Sequence, residues 1–488
     1  MEQLKGFREK AEENLVKLGQ AGMAVSVVKD GETVFSGGFG YRDIVNNLRP
    51  DSRTLFPIGS ATKSFTATAL VILKERGKLD LDRPVRDYMP ELQFSDLAAN
   101  REATTRDILS HRTGLPRHDM LWACRPYISR SEMPSLIRHL KPSKPFRTSY
   151  QYNNLLYICA GRLVEVLDGR RWEDFVKEEI FAPLGMDRAN FSVDDSIVDG
   201  NFAICYERDP KTKDLNFTEY SRFGGLAPAG AVNADVTELA EWTKLFLGRG
   251  KYNGREIITE AGCAELIKPN TYTPPEIFNE PEIRSMGYAL GWELEDFRGY
   301  KLIQHGGNVF GSSAIVAFIP EINAGINVLV NTGSSVLTYA TMYDAFDRLL
   351  GHVDEKDWAE ALGGVLEALI EKSLGAADSL KAAQKPVKTC RKPDEFAGVY
   401  THPAYGAVRV EAKDGGLSAR FTARPSTLEN LHYDIFIAKI DFGGQEMPVT
   451  VIFNTGIDGN IGSFEAGLEG FVAPIVFKKE SQKDNLKE

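Results

Sequence analysis

The sequence predicts an α+β fold: an antiparallel sheet flanked by helices, with a helical subdomain, followed by a small C-terminal β-barrel. Two observations carry this expectation. Strand patterns open the chain and return near residue 286 after a mostly helical middle. A composition shift near residue 391 then brings short strands with glycine-bearing turns. Strands at both ends of a region, with helices between them, are most simply joined in one sheet with the helices packed around it. At 488 residues the chain exceeds one ordinary core, so more than one domain is expected.

The composition, 43% hydrophobic and 26% charged, is that of a globular protein. The net charge of −10 comes from acidic and basic residues that alternate along the chain. No basic face is visible in runs, which argues against a nucleic-acid partner. The segment from Met1 to Leu18 is charged throughout. No stretch approaches the ~20 apolar residues of a membrane helix, so no membrane association is expected. The five cysteines are odd in number, widely spaced and never paired as Cys-x-x-Cys. Free thiols in a reducing, cytoplasmic compartment are expected, rather than a disulfide framework or a zinc site.

In order along the chain, residues 2–19 read as an amphipathic helix with Leu4, Phe7, Ala11, Leu15 and Leu18 on one stripe. Strands at 23–29 and 32–39 flank Asp30-Gly31, a strong hairpin signal. A helix runs from Ser60 to about Arg76 and stops at Gly77. Further helices are expected at 153–168 and 235–248, and strands at 286–294, 300–305, 312–319 and 324–331. Residues 335–350 close this catalytic region, taken as residues 1–350. Residues 351–390 read as a helical connector. Six strands, at 397–400, 407–412, 416–422, 432–438, 448–453 and 473–478, mark a barrel domain at 391–480. The charged residues 481–488 read as a frayed tail.

Three short motifs carry chemistry. Ser60-Ala61-Thr62-Lys63 is a Ser-x-x-Lys motif at a helix start. Positions i and i+3 share a helix face, so the Lys63 amine can reach the Ser60 hydroxyl and act as its base. A chain of this size holds roughly two such matches by chance. The second, Ser26-Val27-Val28-Lys29, lies in a strand, where i and i+3 point to opposite faces. Taken alone, Ser60 could equally be a plain helix cap. Tyr152-Asn153-Asn154 opens the next long helix, and a phenol beside an ammonium can serve as an acid or base. The alternative is a packing tyrosine before a capping asparagine. His305-Gly306-Gly307-Asn308 is placed at the end of one strand, just before the next. Its glycines would let a substrate approach the backbone, and an N–H there could join the Ser60 N–H in an oxyanion hole. By itself the run also fits an ordinary hairpin connection.

Together, in this order, the motifs resemble class C β-lactamases and their relatives: serine D,D-peptidases, D-aminopeptidases and esterases of the same fold. The runs Leu79–Val85, Asp107–Pro116, Ala227–Gly230 and Gly287–Trp292 are similar to the family as well. The resemblance implies the β-lactamase/D,D-peptidase-like fold, with Ser60 as the acylated nucleophile and Lys63 and Tyr152 as a shared acid/base system. It further implies that Asn154 steadies Lys63 and the substrate, and that the N–H groups of Ser60 and Asn308 form the oxyanion hole. His305 falls where class C enzymes usually carry a lysine, and Gly306 where they carry a threonine. A mostly neutral histidine there favours esters, amides or short peptides over anionic β-lactams. A lysine restored at 305 would be expected to favour carboxylate-bearing substrates. The run Phe396–Tyr400 followed by Pro403–Gly406 is similar to the opening of lipocalin-like barrels appended to some family members.

No Gly-x-Ser-x-Gly, His-Glu-x-x-His, P-loop or Gly-x-Gly-x-x-Gly motif occurs, and no cofactor or metal is expected. The expected function is a serine hydrolase acting through an acyl-enzyme on small esters, amides or peptides, including D-amino-acid ones. The alternative is a penicillin-binding or β-lactamase-type protein acylated by β-lactams. The substrate is the only partner expected, and a homo-oligomer is left open.

Overall fold

In the computed structural model, which describes residues 2–274, 280–382, 384–413, 415–442 and 445–480, the first hairpin turns at Asp30 and Gly31. Both take positive φ, 52° and 83°. A two-residue type I′ turn requires that pair of left-handed residues. It joins β1 (Gly22–Lys29) to β2 (Glu32–Gly40). The later strands are β3 (Ile283–Tyr288), β4 (Glu293–Phe297), β5 (Tyr300–Val309), β6 (Ser312–Ile319) and β7 (Ala324–Val330). They complete one seven-stranded antiparallel sheet in the order β2-β1-β7-β6-β5-β4-β3. The first hairpin thus sits beside the last strand, as the sequence pattern implied. Every residue of β6 and β7 is buried, because helices cover both faces of the sheet.

The helices that matter here are α1 (Phe7–Lys17), α2 (Thr62–Glu75), α3 (Met120–Cys124), α4 (Asn154–Asp168), α5 (Val236–Leu247), α6 (Leu337–Leu350) and α7 (Trp358–Ala382). On one face of the sheet, Phe7, Ala11 and Leu15 of α1 and Phe346 of α6 share a core with Val25 and Ile326. On the other, Phe65 of α2 stacks on Trp242 of α5 at 4.1 Å, and Phe246 packs edge-on against Trp292. Each large ring removed from water contributes roughly 1.5–3 kcal/mol. Helix α2 is central: every residue from Thr62 to Leu73 is buried. Its polar side chains are satisfied inside, Ser64 by the Ala61 carbonyl, Thr66 by Pro228 and Thr68 by Ser64. Gly77, at φ 71°, ends it.

Two sequence expectations about the sheet need correction. The strand expected at 286–294 is two strands, β3 and β4. The chain turns between them, and Ala289 N–H donates to the Trp292 carbonyl at 2.8 Å. Gly291 (φ 77°) makes that turn, where a Cβ would stand 2.7 Å from the Lys63 carbonyl oxygen. The strand expected to end at 305 runs on to Val309, so His305-Gly306-Gly307-Asn308 lies inside β5 and not in a connection. The reversal comes later, at Gly311 with φ 73°.

The C-terminal strands are β8 (Gly398–His402), β9 (Gly406–Lys413), β10 (Gly416–Arg420), β11 (Ser426–His432), β12 (Ile435–Phe442), β13 (Gln445–Thr455), β14 (Ile461–Ala466) and β15 (Ile475–Lys479). They form a closed barrel in which β15 returns to β8 through Tyr400 and Lys479. Closure leaves no open sheet edge. Phe396, Tyr400, Phe453, Phe464 and Phe477 fill the interior. The sequence expectation of six strands missed β11 and β14. Outward-facing Thr427 and Glu429, and Gly462 and Glu465, dilute their apolar pattern. The barrel is continuous with the catalytic region: Met120 and Leu121 of α3 share a core with Tyr405 and Leu468. The tail expected at 481–488 lies outside the described residues. Among the described residues no helix is long and apolar enough to cross a membrane.

Candidate active site

Ser60 sits on a 3-10 turn, Gly59–Ala61, that leads directly into α2. Gly59 has φ 52°, and a Cβ on it would stand 2.8 Å from the Asn308 nitrogen. Only glycine allows this approach. Lys63 follows one turn later and is wholly buried. Its Nζ lies 3.0 Å from Ser60 Oγ and donates to the Ala229 carbonyl at 2.7 Å. Burial holds the Lys63 amine well below the ordinary lysine range, and the Arg117 charge adds to this while Asp119 and Glu293 oppose it. The Ser26-x-x-Lys29 run behaves as strand geometry requires. Ser26 donates to the Val236 carbonyl, and Lys29 pairs with Asp30.

Tyr152 is fixed by its neighbour Asn153. The Asn153 side chain caps α4 by accepting the Leu156 N–H at 2.9 Å and donates to the Pro116 carbonyl. The Asn153 N–H donates to His111 Nδ1 at 3.1 Å. The Tyr152 ring lies against His111, centroids 4.4 Å apart, with Lys63 Nζ 4.9 Å from its centre. The Arg117 guanidinium is 5.0 Å from the same centre. Burial pushes the Tyr152 phenol upward, against the pull of the Ser60 hydroxyl and the Arg117 charge. Asn154 Nδ2 donates to both carboxylate oxygens of Asp119, at 3.1 and 3.3 Å. Asp119 also pairs with Arg117 at 2.7 Å.

Strand β5 brings the last motif to the same place. β4 pairs with β5 only as far as Gln304, opposite Glu293, so His305–Val309 continue with β6 on one side alone. The freed edge abuts the Ser60 turn. A Cβ on Gly307 would stand 1.8 Å from the Ile58 carbonyl oxygen and 2.9 Å from the Ser60 nitrogen. Gly306 faces the other way, toward the Tyr339 hydroxyl of α6. The exposed Asn308 accepts the Ser313 hydroxyl at 2.8 Å. His305 is buried: its Nδ1 meets the Gly306 carbonyl at 2.6 Å and its Nε2 meets the Tyr288 hydroxyl at 2.9 Å. With Nδ1–H donating and Nε2 accepting, the ring is neutral. Burial, and then the Lys63 charge, depress it to about 3.

The structure therefore brings Ser60, Lys63, Tyr152, His305, Gly307 and Asn308 together, with Asn154 held by Asp119 at the start of α4 and Gly306 turned away toward α6. It adds residues that sequence reasoning did not single out: His111, Arg117, Asp119, Tyr288 and Glu293. Of these only His111 and Tyr288 fell within runs that resemble the family; Arg117, Asp119 and Glu293 carry no local pattern. Among the described residues no cluster of three or more His, Cys, Asp or Glu side chains could hold a metal. The arrangement offers a hydroxyl beside a desolvated amine and a phenol, with the backbone segments that carry the Ser60 and Asn308 nitrogens in close approach. Those are the components of acyl transfer.

Comparison with known proteins bears on the family and the fold. The Beta-lactamase family model matches residues 7–362, and a model described as a domain of unknown function (DUF3471) matches residues 382–479. An unguisins hydrolase of Aspergillus campestris (strain IBT 28561) is 28% identical over 481 residues, covering 93% of this chain and 87% of that protein. The octameric penicillin-binding protein homologue from Pyrococcus abyssi superposes with TM-score 0.64 at 22% identity, covering 97% of this chain and 100% of its own. The D-amino acid amidase from Ochrobactrum anthropi SV3, complexed with L-phenylalanine amide, gives TM-score 0.58 at 22% identity over 72% of this chain and 98% of its own.

Proposed function

The chain belongs to the beta-lactamase family of serine hydrolases, and from that premise we propose that it cleaves small esters, amides or short peptides through an acyl-enzyme on Ser60. One observation carries the proposal: a fully buried lysine amine, held well below its ordinary proton affinity, 3.0 Å from a serine hydroxyl at a helix start. A neutral amine in that position can take the Ser60 proton, which an ordinary lysine at pH 7 cannot. The opposite directions of the Lys63 and Tyr152 shifts support Lys63 as the resting base and Tyr152 as a proton-bearing phenol. The two titrate as a coupled pair.

In the proposed sequence, Ser60 Oγ attacks the substrate carbonyl carbon as its proton passes to Lys63. The oxyanion accepts the N–H groups of Ser60 and Asn308. Tyr152 relays the proton to the leaving alcohol or amine as the carbonyl bond to it breaks. Water then attacks the acyl-enzyme, and the proton it loses returns to Ser60 through the same pair. Asn154 and the buried His305 hold the surroundings of Lys63 and Tyr152. The neutral ring at 305 supports uncharged substrates over anionic ones. The D-amino acid amidase of the same fold supports an amide substrate, and the unguisins hydrolase relative supports hydrolysis.

A second reading, a penicillin-binding protein that is acylated and turns over slowly, is favoured by the fold shared with the penicillin-binding protein homologue from Pyrococcus abyssi. That protein is octameric, which supports assembly of several copies here. Its cover of 97% of this chain, barrel included, supports a catalytic domain at 1–350, a connector at 351–390 and a lipocalin-like domain at 391–480. Five free cysteines support a cytoplasmic location.

The test is a panel of p-nitrophenyl esters, D- and L-amino-acid amides and benzylpenicillin, with intact-mass readout. Rapid turnover of an ester or amide without a lasting adduct supports the hydrolase. A persistent penicillin adduct with no turnover of the others supports the second reading.

A further inference from the structure

The barrel reaches the segment beside the candidate active site through the side chains of Glu469 and Tyr405. Glu469 lies in the turn between β14 and β15, and its Oε1 accepts the Met120 N–H at 2.8 Å. The Asp119 N–H also donates to it. Both donors belong to the segment that carries Arg117 and Asp119 into the cleft. Nearby contacts seat the same surfaces together. The Tyr405 hydroxyl meets His118 Nδ1 at 2.8 Å, and Arg125 donates to the Ala404 carbonyl at 3.3 Å. Arg117 in turn pairs with Asp119 and stands over the Tyr152 ring.

We propose that Glu469 is a positioning residue for the reaction: a carboxylate from the barrel that fixes the Arg117–Asp119 segment and so holds the Arg117 charge beside Tyr152 and Lys63. The proposal rests on the acyl-enzyme reading given above. Nothing in the Ser-x-x-Lys machinery requires a second domain, yet here the barrel supplies a side-chain acceptor for the backbone that carries Arg117.

The consequence has a definite sign. Arg117 lowers the proton affinity of both Lys63 and Tyr152. Whichever of the two must be deprotonated, displacing Arg117 moves the acid limb of kcat/KM upward. The other charged or titratable groups facing Tyr152 are Asp119 on the same segment, His111, Tyr150 just before α4, Tyr157 on α4, Tyr288 on β3, His305 on β5 and Glu293 on β4. Those facing Glu469 are Asp119, Arg117, Cys124 and Tyr405. Burial raises Glu469 to about 7; where it is ionised, deleting its charge acts directly in the opposite sense, because loss of a negative charge favours deprotonation nearby. An upward shift therefore marks positioning and not charge.

The experiment is the pH profile of kcat/KM for p-nitrophenyl butyrate on the full chain, at low salt, with thermal melts as a check of folding. Arg117→Gln should move the acid limb up by about 0.5 pH unit, the size expected of a partly exposed charge at this range. Glu469→Ala should move it in the same direction. Glu469→Gln keeps an oxygen acceptor for the Met120 N–H but not the charge, so its limb should lie at or below the wild-type one and not above it. If Glu469→Ala does not fold, Glu469→Asp, one methylene short of that N–H, is read in its place. An unchanged or lowered limb in Glu469→Ala overturns the proposal, as does an unmoved limb in Arg117→Gln. Failure of the acyl-enzyme reading looks different: Ser60→Ala would then keep its turnover.

Discussion

Gly307 lies so close to Ile58 that a methyl group in place of its hydrogen would sit 1.8 Å from the Ile58 carbonyl oxygen. The edge of β5 and the Ser60 turn are thus in backbone contact, and the two proposed oxyanion donors are set by that contact. Gly307→Ala forces them apart. Overpacking of this kind costs about 1–3 kcal/mol. Displaced oxyanion donors cost ~100- to 1000-fold in kcat. Ester kinetics with circular dichroism check this; a folded Gly307→Ala enzyme with near-normal kcat would remove the oxyanion role from β5.

Tyr152→Phe keeps the ring against His111 and removes only the phenolic oxygen. Acid–base groups contribute ~100- to 10,000-fold, so kcat should fall by that much with KM little changed. A loss below about threefold would leave Tyr152 as a packing residue and require another proton carrier.

His305→Lys tests the neutral character of the site. Compared with lysine-bearing relatives, the sequence alone suggests a gain for anionic substrates. The structure reverses that expectation, because position 305 is buried beneath Tyr288 and close to Lys63. An ammonium there lacks a counter-ion and is desolvated, which costs several kcal/mol. The variant should melt lower and lose at least about tenfold in ester kcat/KM. Unchanged stability, with faster turnover of a cephalosporin, would show that the side chain reaches solvent.

The contact between barrel and catalytic region makes stability depend on pH. His118 is buried at that contact and depressed from 6.5 to about 4, chiefly by desolvation. Between these values the unfolded chain binds the extra proton, so this contribution is full above pH 6.5 and declines as pH falls toward 4. At pH 5 it amounts to a loss of about 2 kcal/mol. Urea unfolding at pH 7 and pH 5 should show that much less acid sensitivity in His118→Gln. Identical pH dependence in the two proteins would mean that His118 is protonated in the fold.

Much of this architecture is legible in the sequence, for identifiable reasons. Asp30-Gly31 marks the first hairpin because few residues tolerate two positive φ angles in succession. Ser60 and Lys63 can be paired because helical spacing brings i and i+3 together, and the same rule rejects Ser26 and Lys29. Glycine is the ambiguous letter. Gly306 and Gly307 read as a turn, yet they serve close backbone approach within a strand, and the turn falls at Gly311. Arg117, Asp119 and Glu293 were not legible, since nothing local marks a residue brought to a cleft by long-range packing. Glu469 was less so, coming from another domain. The short strands at Ser426–His432 and Ile461–Ala466 were hidden by their polar outward faces.

The central claim, that Ser60 is the acylated nucleophile, is tested most directly by intact mass after exposure to a fluorophosphonate probe, in wild type and Ser60→Ala. The wild-type chain should gain one probe mass and lose ester turnover. Ser60→Ala should carry no adduct, and its turnover should fall by about a thousandfold or more with unchanged circular dichroism. A labelled Ser60→Ala chain, or one that keeps most of the wild-type turnover, would contradict it.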